Sequence, residues 1–201
     1  MRTTLRTTGV AVRAMVLFTL LLGVGYMFLI TAAGQLAFPF QANGSLVKSS
    51  DGTVTGSQLI GQSWTDAAGD ALPQYFQSRP SAAGDGYDAA ASSGSNLGPE
   101  NDDLIAAIQD RKDAIAALDG SGEIPADAVT ASASGLDPDI SVAYADLQAD
   151  RVARARGIPA QEVRDLVTAH VKPRDWGYLG DPRVNVLELN MALDALAPAS
   201  R

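Results

Sequence analysis

The clearest pattern along the chain is a run of apolar positions with no polar face. Ala14 to Ala33 reads AMVLFTLLLGVGYMFLITAA, and no charged residue lies between Arg13 and Lys48. About twenty such residues rising ~1.5 Å each cover roughly 30 Å, the thickness of a bilayer's hydrocarbon core. The pattern predicts a transmembrane helix over 14–34, with Gly34 and Pro39 ending it on the far side. Thr19 and Gly23 are spaced to let a second helix approach closely, and Tyr26 places a hydroxyl deep in the span, where a protein partner suits it better than lipid. The rival reading is a cleaved signal peptide, with Thr31-Ala32-Ala33 as its cleavage site. The run exceeds the roughly 7–15 apolar residues of such a signal, which favours a retained anchor.

Beyond residue 41 the apolar positions fall into short periodic segments. Ser45–Lys48 and Thr53–Thr55 flank Ser49-Ser50-Asp51-Gly52 as a hairpin with Asp-Gly at its turn, and Ser57–Gln62 extends it as another short strand. Ser78 to Pro99, rich in Ser, Gly, Ala and Pro, reads as an irregular loop long enough to suggest binding. Asn101–Leu118 is a helix whose stripe is Leu104, Ile105, Ile108, Ile115 and Leu118, with Asp102 and Asp103 at its start and Gly120 past its end. Val129–Ala131 reads as a short strand entering a turn-rich loop, Ser132–Pro138. Three further helices are expected: Ser141–Arg156 stopped by Gly157, one from Pro159 turning Val163, Leu166 and Val167 inward, and one from near Asn185 carrying Val186, Leu189, Leu193 and Leu196. The fold class expected is a single N-terminal transmembrane helix followed by one mixed α/β (α+β) extracytoplasmic domain over 41–201.

Charge supplies the orientation. The 201 residues hold fifteen Lys+Arg and twenty-three Asp+Glu, a net −8, but Arg2, Arg6 and Arg13 are the only charges before Lys48. Setting those three aside leaves twelve basic against twenty-three acidic residues, so the body stands at −11. Basic residues on one flank only place the N-terminus, 1–13, in the cytoplasm and the body outside. An acidic body repels phosphate backbones, which argues against nucleic acid as a partner. The absence of cysteine removes disulfides and thiol chemistry and suits a bacterial exported protein; one histidine leaves no multi-histidine metal site.

Candidate chemistry is thin. His170 ends a predicted helix, and no G-x-S-x-G elbow accompanies it. Ser45-Leu46-Val47-Lys48 matches S-x-x-K without the K-T-G or S-D-N that the acylating enzymes carry, and it sits in a predicted strand. An exported hydrolase or binding module using Ser45 or His170 is the alternative function. Asp137 and Asp139 around Pro138 suit a turn and the cap of the next helix. Asn43-Gly44-Ser45 is turn chemistry beside the membrane. Gly94 to Pro99 lacks the lysine of a phosphate cradle. Arg79 and Arg183 are ion-pair partners or interface anchors.

Six blocks in order then carry a family resemblance: Gly56-Ser57-Gln58-Leu59-Ile60-Gly61-Gln62; Tyr75-Phe76 leading to Arg79-Pro80-Ser81; Gly94-Ser95-Asn96-Leu97-Gly98-Pro99 with Asn101; Val129 to Pro138 (VTASASGLDP); Arg151 to Gly157 (RVARARG); and Leu179 to Asn190 (LGDPRVNVLELN). With the N-terminal helix, they resemble the C subunit of the Kdp potassium-transporting P-type ATPase over essentially the whole chain. Asp139 stands where that family usually has histidine, which points to a structural turn there rather than proton chemistry; Ser93-Gly94 stands where two glycines are common.

The resemblance implies a non-catalytic accessory subunit that assembles or stabilises a high-affinity, ATP-driven potassium uptake complex. Its partners would be a channel-like potassium-selecting subunit, a P-type ATPase subunit and a small single-helix subunit. ATP and Mg would be bound through the ATPase partner, K+ would be the transported ion, and no cofactor is expected on this chain. The family's association with ATP binding conflicts with the topology in its direct form: thirteen residues before the span are too few for a nucleotide pocket, leaving only coupling across the membrane. The interface candidates are Thr19, Gly23 and Tyr26 in the span and Asn96, Asn101, Asp137, Arg183 and Asn185 in the domain; turn and cap roles compete for most of the latter.

Overall fold

The computed structural model describes residues 2–49 and 52–198, in two compact units, Met1–Leu46 and Val47–Arg201. In the first, α1 (Arg2–Phe18), a π-helical stretch (Thr19–Tyr26) and α2 (Met27–Ala37) follow one another without a break. Thr3–Ala37 is a helix of 35 residues, long and apolar enough to cross a membrane, and at ~1.5 Å per residue it measures about 50 Å. Gly34 does not end it, because a glycine costs a helix only about 1 kcal/mol. The break comes at Phe38 (φ −138°, ψ 58°), before Pro39, which bars helical geometry at the residue preceding it. Pro39 then opens one further turn, α3 (Pro39–Ala42). The Gln35 and Asn43 side-chain amides donate to one another at 3.3 and 3.1 Å, and Asn43 Nδ2 also donates to Pro39 O. Asn43 thus closes the turn expected of it, with Gly44 and Ser45 both at positive φ.

A two-stranded sheet follows, β1 (Leu46–Lys48), whose first residue is the last of the first unit, paired to β2 (Val54–Ser57). Of the hairpin's expected turn, Ser50 and Asp51 lie outside the described residues. Ser57–Gln62 does not continue as a strand. The Ser57 hydroxyl accepts from Leu59 N, Ile60 N donates to Ser57 O, and Gly61 N donates across to Leu136 O, so the segment curls into turns. From there to Pro99 no helix or regular strand forms.

Helix α4 (Asp102–Asp119) is capped by Asn101, whose Oδ1 accepts from Asp103 N and Leu104 N. Its stripe turns inward at Ile115, while Ile105 is 55% exposed. Val129–Ala131 is not a strand. Pro125 starts the short helix α5 (Ala126–Val129), which buries Ala128 and Val129, and both Thr130 N and Oγ1 donate to Ala126 O. Three antiparallel strands follow in the order β3 (Asp139–Ser141), β5 (Arg183–Asn185), β4 (Val171–Lys172). Ile140, Val184 and Val171 stand opposite one another, so one face is apolar; Asp139 faces Asn185, and Arg183 lies between Ser141 and Lys172.

Helix α6 (Val142–Arg156) forms the centre of the core. Ser141 caps it through Tyr144 N, and Gly157 ends it in the left-handed conformation (φ 68°). Ala145, Ala149, Val152 and Ala153 are fully or almost fully buried on it, and their small size lets α4 and α7 (Ala160–Ala169) pack close. Val163 and Val167 of α7 and Leu189 and Leu193 of α8 (Val186–Leu196) complete the core. Leu196, expected inward, is 48% exposed in the last turn.

Candidate interface site

The buried polar groups show what holds the irregular segment in place. Asn190, on α8, donates from Nδ2 to Phe76 O and accepts from Phe76 N, both at 2.9 Å. Gln148, on α6, accepts from Gln77 N at 2.6 Å and donates to Gln77 O at 3.2 Å. Each side-chain amide serves two successive backbone groups as a neighbouring strand would. Arg151 extends the clamp: Nη1 donates to Pro73 O and Tyr75 O, Nη2 to Gln148 Oε1, and Nε to Asp119 Oδ1 at 2.7 Å. Arg156 donates to Gln74 O and Ala197 O, pairs with Asp194, and lies 4.6 Å from the Tyr75 ring centroid. The RVARARG block is therefore an anchor for residues 73–77. Burial raises the Asp119 carboxyl above its ordinary range, outweighing the Arg151 guanidinium that favours its charge.

On the polar face of the three-stranded sheet, Asp137, Arg183 and Asn185 come together through Asp139. Asp137 Oδ1 accepts from Asp139 N, Arg183 Nε pairs with Asp139 Oδ2 at 3.1 Å, and Asn185 Nδ2 donates to Asp139 Oδ1 at 3.2 Å. Asn185 also donates to Gln58 O and accepts from Glu188 N, capping α8. Glu188 in turn pairs with Lys172 and accepts from the Gln58 amide. Asp139 is thus the first residue of a strand and the hub of a network, more than the turn expected of it. Its carboxyl is raised, first by burial and then by Asp137, against Lys172, Asn185 and Arg183, which favour its charge.

Asp137 also pairs with Arg79 at 2.8 Å, and this pair stands between two grooves. The larger, about 700 Å³, is lined by Trp64, Arg79, Tyr87, Arg111, Ile115 and Tyr144 among others. Trp64 Nε1 and Arg79 Nε, on two of these lining residues, are buried without a protein acceptor. Tyr87 (φ 58°) donates from its hydroxyl to Arg79 O, and burial pushes its phenol up to about 12. The loops crowd closely beside these grooves. A Cβ on Gly61 would stand 2.5 Å from Asp137 O, and one on Gly135 (φ 68°) would stand 2.6 Å from Ser93 O.

The remaining candidates lie apart from this network. Asn101 is the α4 cap, and Asn96 is exposed at φ 53°. Thr19, Gly23 and Tyr26 all fall in the π-helical stretch, where a Cβ on Gly23 would meet only Thr19 Cγ2, at 3.9 Å. Such stretches concentrate at functional positions in helices. Among the described residues no group of three or more acidic or histidine side chains is arranged to hold a metal. His170 closes α7 with Nδ1 2.8 Å from Leu166 O. Ser45 is buried just before β1, not at a helix start where the S-x-x-K chemistry would need it. The hydrolase reading finds no support in either residue.

The sequence reading assigned no role to Gln148 or Asn190, or to Trp176 and Tyr178, which the structure leaves 84% and 66% exposed on the β4–β5 connection. The first pair stood in the RVARARG and LELN neighbourhoods, but only the fold reveals that their amides grip adjacent residues, Asn190 holding Phe76 and Gln148 holding Gln77.

Comparison with known proteins covers the N-terminal helix and the domain alike. The family model described as "K+-transporting ATPase, c chain" (KdpC) matches residues 8–195. A potassium-transporting ATPase KdpC subunit from Caulobacter vibrioides is 55% identical over 188 residues, covering 94% of this chain and 92% of the relative. The KdpC subunit of Gemmatimonas aurantiaca is 57% identical over 184 residues, covering 90% and 88%. That of Mycobacterium tuberculosis is 50% identical over 189 residues, covering 92% and 96%. Identity at this level across nearly all of both chains establishes that this chain belongs to the KdpC family.

Proposed function

We propose that the chain is the accessory C subunit of an ATP-driven potassium uptake complex. It crosses the membrane once, over about residues 14–34, with residues 1–13 in the cytoplasm and the domain 41–201 outside. The observation that carries this reading is the family match from residue 8 to 195, spanning both the 35-residue apolar helix and the domain. The three arginines before the span and the acidic body after it support the orientation. ATP hydrolysis belongs to a P-type ATPase partner and potassium selection to a channel-like partner, with a small single-helix subunit beside them. The domain's polar groups support an assembly role, being spent on holding loops in fixed positions. Thr19, Gly23 and Tyr26 are the contacts proposed within the membrane, and Asn96 and the edge of the Asp137–Arg183–Asn185 network those proposed outside it. An effect on nucleotide affinity would travel through the membrane as a coupling between sites.

Affinity purification of the intact chain from membranes in mild detergent tests this. The potassium-ATPase subunits should come with it in fixed proportion. Migration of the chain alone, with those subunits co-purifying without it, would overturn the reading. Cysteine labelling with a membrane-impermeant reagent, at residue 3 and at residue 105 in separate variants, tests the orientation. Labelling at 105 and not at 3 is expected in intact cells.

A further inference from the structure

The connection between β4 and β5 shows the arrangement opposite to the clamp on residues 73–77. Asp175 N donates to Leu179 O at 2.9 Å and Leu179 N to Asp175 O at 3.0 Å, while Gly177 N donates to Arg174 O and Tyr178 N to Asp175 O. The loop's backbone satisfies itself, and its side chains turn outward: Trp176 is 84% exposed, Tyr178 66% and Leu179 44%. Among the described residues beyond the N-terminal helix, no other stretch of four exposes three large apolar side chains. Trp176 also sits at φ +53°, a conformation that costs a bulky residue energy and that glycine would adopt freely. Neither burial nor core packing repays that strain in the isolated domain.

We infer that this tip is the domain's docking anchor. Trp176, Tyr178 and Leu179 would insert into an apolar pocket, with basic groups at its rim, on a protein subunit of the transporter. Trp and Tyr are the side chains that most often dominate interface energies, and a locked loop loses little freedom on binding. The charges at the base set the partner's chemistry. Arg174 is paired to Asp181 at 3.0 Å and Arg183 to Asp139 and Asp175, so no arginine there stands free for a lipid phosphate. The Asp181 and Asp175 side chains are 87% and 67% exposed, and the body they belong to is strongly acidic. With the charges at the base paired to one another, it is the net negative charge of the body that would be repelled from anionic headgroups and attracted to a basic rim. A protein pocket therefore suits the tip better than a membrane surface.

The inference rests on the accessory-subunit reading, and the experiment separates the two. The intact chain, wild type or Trp176→Gly, is assembled with the other transporter subunits in nanodiscs containing brominated lipid, in a Trp64→Phe background. The chain is produced separately with 7-azatryptophan, so that emission at position 176 is excited apart from tryptophan in the other subunits, and its retention on the complex and that emission are then followed. The wild type should be retained, with blue-shifted Trp176 emission that brominated lipid does not quench. Trp176→Gly should dissociate at least about tenfold faster, with an unchanged or raised melting temperature, because the substitution relieves the positive φ. A role confined to folding would lower both together. Retention of Trp176→Gly at the wild-type level would overturn the anchor alone. So would strong quenching by brominated lipid, which would make the tip a membrane contact. Failure of the wild type to assemble would overturn the accessory-subunit reading and the anchor with it.

Discussion

Residues 73–77 and residues 174–181 are both irregular loops, built on opposite plans. The first has almost no backbone pairing of its own. Side-chain amides and guanidinium groups from α6 and α8 complete it, and Phe76 is wholly buried. The second completes its own backbone and leaves its indole, phenol and leucine in solvent. A loop held by buried partners is fixed by the fold and has nothing left to offer a ligand. A loop that holds itself can spend its side chains elsewhere. The difference locates stability in the first and recognition in the second.

The largest test of that division is Arg151→Met. It leaves the Asp119 carboxylate, whose side chain is 1% exposed, without its partner, and strips donors from Pro73 O and Tyr75 O. Breaking a buried pair from one side costs about 3–5 kcal/mol, to be read as a lower urea midpoint for the detergent-solubilised chain. Asn190→Ala is next. It orphans the buried N–H and C=O of Phe76, at about 1–3 kcal/mol for each group left unpaired, with faster hydrogen exchange at residues 76 and 77. Trp176→Gly should fall on the other side of the comparison, with no loss of stability, because relief of the positive φ, worth about 1–3 kcal/mol, offsets glycine's entropic cost of about 0.5–1 kcal/mol. A loss as large as that of Asn190→Ala would erase the distinction between the two loops.

The smallest effect is the pH dependence at Asp139. Its folded value is raised, so the stability it contributes is complete below the ordinary carboxylate range and is lost as pH rises through the raised value. Acidifying from neutral through the raised value, towards the unfolded Asp value near 3.9, should therefore add this contribution to the melting temperature. In Asp139→Asn the rise should be smaller than in the wild type. Asp119, also raised, contributes in the same direction and supplies what remains.

Helix ends were legible in the sequence wherever a cap residue marks them. Asn101, Ser141 with Gly157, and Asn185 sit where caps belong, and each makes the expected backbone bonds. Strands were less legible, because partners far away decide them. Ser57–Gln62 turns because Gly61 N finds Leu136 O, and Val129 ends a helix because Pro125 begins one. Apolar periodicity also overstated the core. Ile105 and Leu196 occupy the right positions on their helices but lie where no neighbour covers them. Of the interface candidates, Asp137, Arg183 and Asn185 proved to share one network around Asp139. The aromatic tip had no periodic signal, since four residues between turns carry no pattern that separates an exposed tryptophan from a buried one.

The two amides that grip Phe76 and Gln77 also set an order of events during synthesis. Gln148 lies 71 residues after Gln77, and Asn190 lies 114 after Phe76. A chain emerging N-terminus first exposes residues 73–77 long before either gripping side chain exists. Contacts so distant in sequence form late. The segment beside the core must wait, unpaired, until α8 is delivered, and a chain cut short before residue 190 would never close it. Completion of the domain is therefore reported by α8, which makes that helix the checkpoint for its folding.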